Sequence, residues 1–212
     1  MTELEILLER YPSLVGCSGA LNDAAEMMCA SFRSGGKLVL AGNGGSASDC
    51  EHIVGELEKE FKIHRKRNAN FDRDFLKYYP QDGELLSKLT PAVPAVSLVS
   101  GVSINTAMIN DIGAEVMYAQ RAYAMCRSGD VFMGISTSGN SRAVIAAMKV
   151  AKVLGCKVIA LTGKTGGLMK EYADILINVP EEQTYRVQEL HLPVYHYLCA
   201  QTERELFGEK DV

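Results

Sequence analysis

An apolar run from Val131 to Ile135 ends in Gly134-Ile135-Ser136-Thr137-Ser138-Gly139-Asn140-Ser141, and Ala143 to Val153 follows with apolar residues at helical spacing. The run reads as a strand buried in a parallel sheet, and the hydroxyl-rich turn after it as the start of a helix. The first N–H groups of a helix have no internal partners and carry the positive end of the helix dipole. Small hydroxyl side chains beside them therefore suit a phosphate. A nucleotide-binding loop would need G-x-x-x-x-G-K-[ST], which is absent, so a phosphomonoester is expected and a nucleotide cofactor is not. The same residues also serve as ordinary helix caps.

A second turn of the same kind favours the ligand reading. Gly36-Lys37-Leu38-Val39-Leu40-Ala41-Gly42-Asn43-Gly44-Gly45-Ser46 is a strand entering a glycine-rich turn, with Ser46 placed to cap the next helix. Further apolar runs lie at Pro94–Val99, Cys156–Leu161 and Asp174–Val179, separated by helical stretches. The expected fold is α/β: a five-stranded, mostly parallel, doubly wound sheet of flavodoxin-like type with helices on both faces. Right-handed crossovers place the turns at 42–46 and 136–141 on one edge of the sheet, where ligands of such folds sit.

The 212 residues, 47% of them hydrophobic, are expected to form one domain over 1–212. Residues 1–35 read as a helical segment interrupted at Pro12 and Gly16–Gly19, able either to cover the sheet or to pair with another subunit. They lack the pattern of a helix-turn-helix domain. Residues 64–93 form a long connection that opens on the basic run His64-Arg65-Lys66-Arg67 and continues with Phe71, Phe75, Tyr78 and Tyr79. The basic run reads as a solvated face, or alternatively as a lid or intersubunit arm.

A net charge of −4 with mixed signs gives no case for nucleic acid or an anionic membrane. The six dispersed cysteines read as reduced core residues. No leader or spanning segment is evident, so a cytoplasmic protein is expected.

On the helix after Ser46, Asp49, His52 and Glu56 project from one face, with Cys50, Ile53, Val54 and Leu57 turned to the core. His52 and Glu56 are expected to line the cleft above the glycine turn. From Glu181 the chain reads as a long terminal helix containing Pro193, which removes one helix hydrogen bond at a cost of about 3 kcal/mol.

The blocks Gly42–Ser46 with His52 and Glu56, Gly134–Ser141, Leu161-Thr162-Gly163-Lys164-Thr165-Gly166-Gly167, and Gln188-Glu189-Leu190-His191 with His196 occur in one order along nearly the whole chain. In this the sequence resembles the sugar isomerase (SIS) domains of the phosphoheptose isomerase family. The resemblance implies isomerisation of sedoheptulose 7-phosphate to D-glycero-D-manno-heptose 7-phosphate by a homotetramer with active sites between subunits, commonly with zinc. By position it implies that Asn43, Gly44, Gly45 and Ser46 contact the sugar, together with Asn110 and Asp111. Ser136, Thr137, Ser138 and Ser141 would hold the phosphate. Glu56 and His196 would be the acid/base pair, and His52, Glu56, Gln188 and His196 the zinc ligands.

Two features depart from the family pattern: Tyr185 stands where an acidic residue is usual, and the 64–93 connection is longer. They keep isomerisation of another phosphosugar open as an alternative. A non-catalytic, sugar-phosphate-binding regulator is a further alternative. The chemistry expected is transfer of a carbon-bound proton through an enediol, with Glu56 as base and His196 managing an oxygen proton. Gln188 and His196 are about 12 Å apart along a straight helix. On that ground His196 is expected to reach Glu56 from a second chain.

Overall fold

The computed structural model describes residues 1–208; residues 209–212, the last of the span read as one domain, lie outside the described residues. Five strands, β1 (Leu38–Gly42), β2 (Ala95–Ser97), β3 (Val131–Ser136), β4 (Lys157–Thr162) and β5 (Ile175–Asn178), form one sheet in the order β2-β1-β3-β4-β5. Every pairing is parallel, so the sheet is wholly and not just mostly parallel.

The helices are α1 (Glu3–Arg10), α2 (Ser18–Arg33), α3 (Gly45–Glu58), α4 (Ala69–Tyr78), α5 (Gly83–Lys88), α6 (Val102–Asp111), α7 (Met117–Met125), α8 (Arg142–Val153) and α9 (Thr184–Phe207). Sequence order and spatial order part company once, at β1. The chain moves outward to β2 and then returns across β1 to β3. Parallel sheets of this winding open a crevice at that reversal, outside the carboxyl ends of the two strands. Gly42 is in register with Ile135, so the turns after β1 and β3 leave the sheet side by side.

The strands are apolar along most of their length because both faces are covered. Leu38, Leu40, Met133, Ile159 and Leu161 face a layer that includes Leu21, Met28, Ile53, Val194 and Leu198. Val39, Phe132, Val158 and Ala160 face Tyr118, Ala122, Val144 and Met148. Period-two alternation is present in the strands, but it separates two dry faces and not a dry face from a wet one.

Of the amino-terminal helices, α2 lies against the sheet and α9, and α1 lies against α9. Thr2 caps α1 reciprocally with Glu5, at 3.2 Å and 2.7 Å. A 3-10 turn at Pro12–Cys17 follows, and α2 buries its stripe of Leu21, Ala24, Ala25 and Met28 against the sheet and α9 of the same chain. All six cysteines are buried and unpaired. No described helix is long and apolar enough to cross a membrane.

The connection at 64–93 departs from expectation at its root. Arg65, expected on a solvated face, is fully buried and pairs with buried Glu203 of α9 at 2.8 Å. Its Nη1 donates to the Leu57 and Pro91 carbonyls, at 2.7 Å and 3.0 Å, and its Nη2 to the Glu56 carbonyl at 3.1 Å. Glu203 also accepts the backbone N–H groups of Phe61, Lys62 and Ile63. The guanidinium thus satisfies carbonyls at the end of α3 that no helix hydrogen bond can reach. Beyond it, α4 buries no residue.

Helix α9 runs unbroken through Pro193. It also buries His191 completely, with neither ring nitrogen hydrogen-bonded. Burial drives this imidazole down to about 4, and the nearby Thr162 backbone opposes the shift only in part. The unfolded chain therefore binds a proton near pH 6.5 that the folded chain refuses until about 4. Stability that is complete above 6.5 should fall as the pH is lowered towards 4, by about 3 kcal/mol. Denaturant unfolding from pH 8 to 4 should show that loss in the wild type, and a shallower slope in His191→Leu.

Candidate functional site

A cleft of ≈ 910 Å³ opens at the β1/β3 reversal, lined by Asn43, Gly44, Gly45 and Ser46 from one turn and Ser136, Thr137, Ser138 and Ser141 from the other, with Gln188 of α9. Asn43 Nδ2 donates to Ser141 Oγ at 2.7 Å and ties the two turns into one cradle. Gly44, the residue just before α3, has φ +57°, a conformation that side chains resist. At Gly45 the Gln188 amide lies where a Cβ would be, so α9 approaches the start of α3 only because no side chain intervenes. The turn at Gly163–Gly167 does not line the cleft.

Asn110 and Asp111 lie in the last turn of α6, exposed and hydrogen-bonded to each other at 2.8 Å. The cleft wall in this region comes instead from Ile109, Gly113, Ala114 and Glu115.

His52 and Glu56 do not line the cleft, contrary to the expectation that they stand above the glycine turn. The rise from Gly45 to Glu56 along α3 is about 16 Å, which carries the carboxylate past the cleft. There it meets a partner the sequence assigned to another chain. His196 of the same chain lies beside His52, with Nε2–Nε2 at 3.5 Å, and His52 Nε2 is 3.0 Å from Glu56 Oε1.

The expectation that His196 reaches Glu56 only from a second subunit is therefore corrected. Helices α3 and α9 pack side by side and climb in the same direction, so Gln188 meets Gly45 while His196, eight residues on, meets His52. The 12 Å separation is real, but it separates Gln188 from His196 and not His196 from Glu56.

One donor atom from each of His52, Glu56 and His196 lies within 4.8 Å of the others. Zinc–ligand bonds of about 2.0–2.1 Å at tetrahedral angles put donor atoms about 3.3 Å apart. The 3.0 Å and 3.5 Å separations bracket that value, and two imidazoles with one carboxylate are an ordinary zinc set. The residues fit a divalent metal. Gln188, the fourth ligand the resemblance implies, is at the cleft and not in this group.

Glu56 Oε2 accepts Lys59 Nζ at 2.8 Å. Partial burial raises the Glu56 carboxyl, but the ion pair with Lys59 and the bond to His52 outweigh it, and the net shift is downward. The group is a carboxylate at neutral pH. Burial, then the neighbouring His52, lower the His196 pKa against the opposing pull of Glu56, so this imidazole is neutral and offers a lone pair. Burial pushes the Asp49 carboxyl up to about 6, against the Tyr195 hydroxyl and His52.

Lys59 was detectable in the sequence as the i+3 neighbour of Glu56. Tyr195, whose hydroxyl is 3.0 Å from His52 Nδ1, gave no sequence signal, because its contact depends on how α9 lies against α3.

The SIS domain family matches residues 76–163. Phosphoheptose isomerase of Akkermansia muciniphila is 34% identical over 202 residues, covering 95% of this chain and 94% of the relative. That of Geotalea daltonii is 39% identical over 185 residues, covering 87% and 83%. The solved structure of phosphoheptose isomerase from Neisseria gonorrhoeae superposes with a TM-score of 0.72 at 32% identity, covering 94% and 91%. Likeness of this extent takes in β1 to β5, both turns of the cradle and the helices bearing His52, Glu56 and His196, and on it the chain belongs to the phosphoheptose isomerase family of SIS-domain proteins.

Proposed function

We propose that this protein interconverts sedoheptulose 7-phosphate and D-glycero-D-manno-heptose 7-phosphate, as a cytoplasmic homo-oligomer of single-domain subunits. Family membership makes it an aldose–ketose isomerase. The observation that carries the substrate class is the cradle of hydroxyls and helix N-termini at the β1/β3 reversal, which suits one phosphate on a small polyol.

The phosphate rests against Ser136, Thr137, Ser138 and Ser141, and Asn43 and the Gly44–Gly45 backbone face the sugar. Glu56, ionised, takes the proton from the carbon next to the carbonyl and returns it to the neighbouring carbon. His196, neutral, accepts the proton of the hydroxyl that becomes the new carbonyl and delivers it to the oxygen of the old one, so the oxygen-bound proton moves in the same direction as the carbon-bound one. A zinc ion held by His52, Glu56 and His196 would polarise the sugar oxygens as a Lewis acid. A carboxylate bound to metal is a weaker base, and its low pKa favours ligation.

The cradle and the Glu56 group are separated along α3, and one chain does not present both to one cleft. Two copies do: the cradle of one meets the Glu56, His52 and His196 of another, and Gln188 beside the cradle then approaches the metal group from the far side. His52 is open to such a neighbour, its side chain 42% exposed.

The reaction is tested by supplying C5 to C7 ketose phosphates and following the aldose products. Conversion of sedoheptulose 7-phosphate is expected to be the fastest. Thermal stabilisation by a sugar phosphate with no conversion of any would replace the enzyme with a binding protein. Ser138→Ala with Ser141→Ala should raise KM about 100-fold, from two lost bonds to a charged group, with the protein still folded. An unaltered KM would remove the phosphate from this cradle.

A further inference from the structure

Tyr195 is 2% exposed, yet its hydroxyl is 3.0 Å from His52 Nδ1, the ring nitrogen turned away from Glu56 and His196. The two rings meet edge to face with centroids 5.4 Å apart. Behind the hydroxyl lies the Asp49 carboxylate, close enough to interact with it, and Asp49 Oδ2 is buried with no hydrogen-bond partner.

A phenol hydroxyl donates one bond and can accept another. If its proton turns towards the nearby Asp49 carboxylate, the Tyr195 oxygen is free to accept Nδ1–H from His52. With a metal ion held in the group, the imidazole proton would then be fixed on Nδ1, leaving the Nε2 lone pair to ligate the ion shared with Glu56 and His196.

From this geometry we infer that Tyr195, backed by Asp49, is a positioning residue that holds His52 in the Nδ1–H tautomer and aims Nε2 into the metal group. The inference rests on the metal reading given above. Tyr195 touches neither substrate nor metal and acts through His52. Carboxylates and carbonyls commonly fill this supporting place behind a ligating histidine. Here a phenol is interposed, and it lengthens the line enough for a carboxylate on α3 itself, one turn before His52, to serve.

The test is zinc affinity, measured by chelator competition on the full chain for wild type, Tyr195→Phe and Asp49→Asn, alongside long-range proton–nitrogen spectra of the zinc-loaded proteins. Tyr195→Phe keeps the buried ring and removes only the hydroxyl. It should bind zinc about 10- to 100-fold more weakly than wild type, with Asp49→Asn weakened in the same direction. The His52 ring should show a proton on Nδ1 and metal on Nε2 in wild type, and a mixture of the two arrangements in Tyr195→Phe.

Equal zinc affinities for wild type and Tyr195→Phe would overturn the inference while leaving the metal group standing. Weaker binding with the His52 pattern unchanged would also overturn it, since loosened packing alone gives that result. Wild type without zinc affinity removes the metal reading and this inference with it. Should Tyr195→Phe fail to fold, Asp49→Asn carries the same comparison with the same two outcomes.

Discussion

Equal mixing of Glu56→Gln protein with Ser138→Ala/Ser141→Ala protein, unfolded and refolded together, should raise activity from the low parental levels to about a quarter of wild type at substrate concentrations well below KM. This is the result expected of the proposed site shared by two chains. Each site needs its cradle from a Glu56→Gln chain and its Glu56 group from a cradle-mutant chain, and random assembly grants both in about one site in four. The contrasting mixture, Glu56→Gln with His196→Ala, should stay inactive. Those two residues lie on one chain, joined through His52, so every group of this kind in any mixed oligomer lacks one of them. Recovery in the second mixture and not the first would return His196 to a different subunit from Glu56. Mixed oligomers verified by mass spectrometry but inactive in both cases would place cradle and Glu56 group in one chain's site.

Glu203→Ala should lower the melting temperature by about 10 °C, the largest effect expected of a single change away from the cleft. It leaves the Arg65 guanidinium buried without its counter-charge and strips the acceptor from three backbone N–H groups. Removing one partner of a buried pair costs about 3–5 kcal/mol, and a chain of this size loses roughly 2–4 °C per kcal/mol. Burial raises the Glu203 carboxyl, but those N–H groups and Arg65 outweigh it and hold it below the usual range. Its contribution is therefore present above the unfolded value and lost as the pH falls through the folded one. Because Arg65 also holds the Glu56 and Leu57 carbonyls, activity should fall even at temperatures where the variant remains folded. A melting temperature within about 3 °C of wild type would mean that the pair is not needed to close this end of α3.

The sheet and the cradle were legible because their signals are local. Apolar runs such as Val131–Ile135 announce strands covered on both faces, and Gly44 and Gly45 mark a turn and a close approach that other residues would obstruct. The His52–Glu56 spacing was equally plain, since a helix converts four positions into one face. What sequence did not carry was the pairing of α3 with α9, because side-by-side packing of helices distant in the chain leaves no periodic trace. That single unknown concealed that His196 stands beside His52 and Glu56. It also hid Tyr195, and it hid Glu203 as the partner of Arg65, without which a basic run is reasonably read as solvated.

The root of the 64–93 connection bears on how such a chain can change over evolutionary time. Arg65 grips the Pro91 and Leu57 carbonyls together, and Val93 N–H donates to Leu57 O at 2.9 Å, so the polypeptide departs and returns at one pinned point. Between those ends, the segment that carries α4 and α5 exposes Phe71, Leu76, Tyr78, Tyr79 and Leu85. A segment with clamped ends can lengthen, shorten or exchange its sequence at a cost close to loop closure alone, about 0.6 kcal/mol for each doubling of length. Selection can therefore remodel this excursion for new neighbours while the sheet, the cradle and the Glu56 group stay as they are.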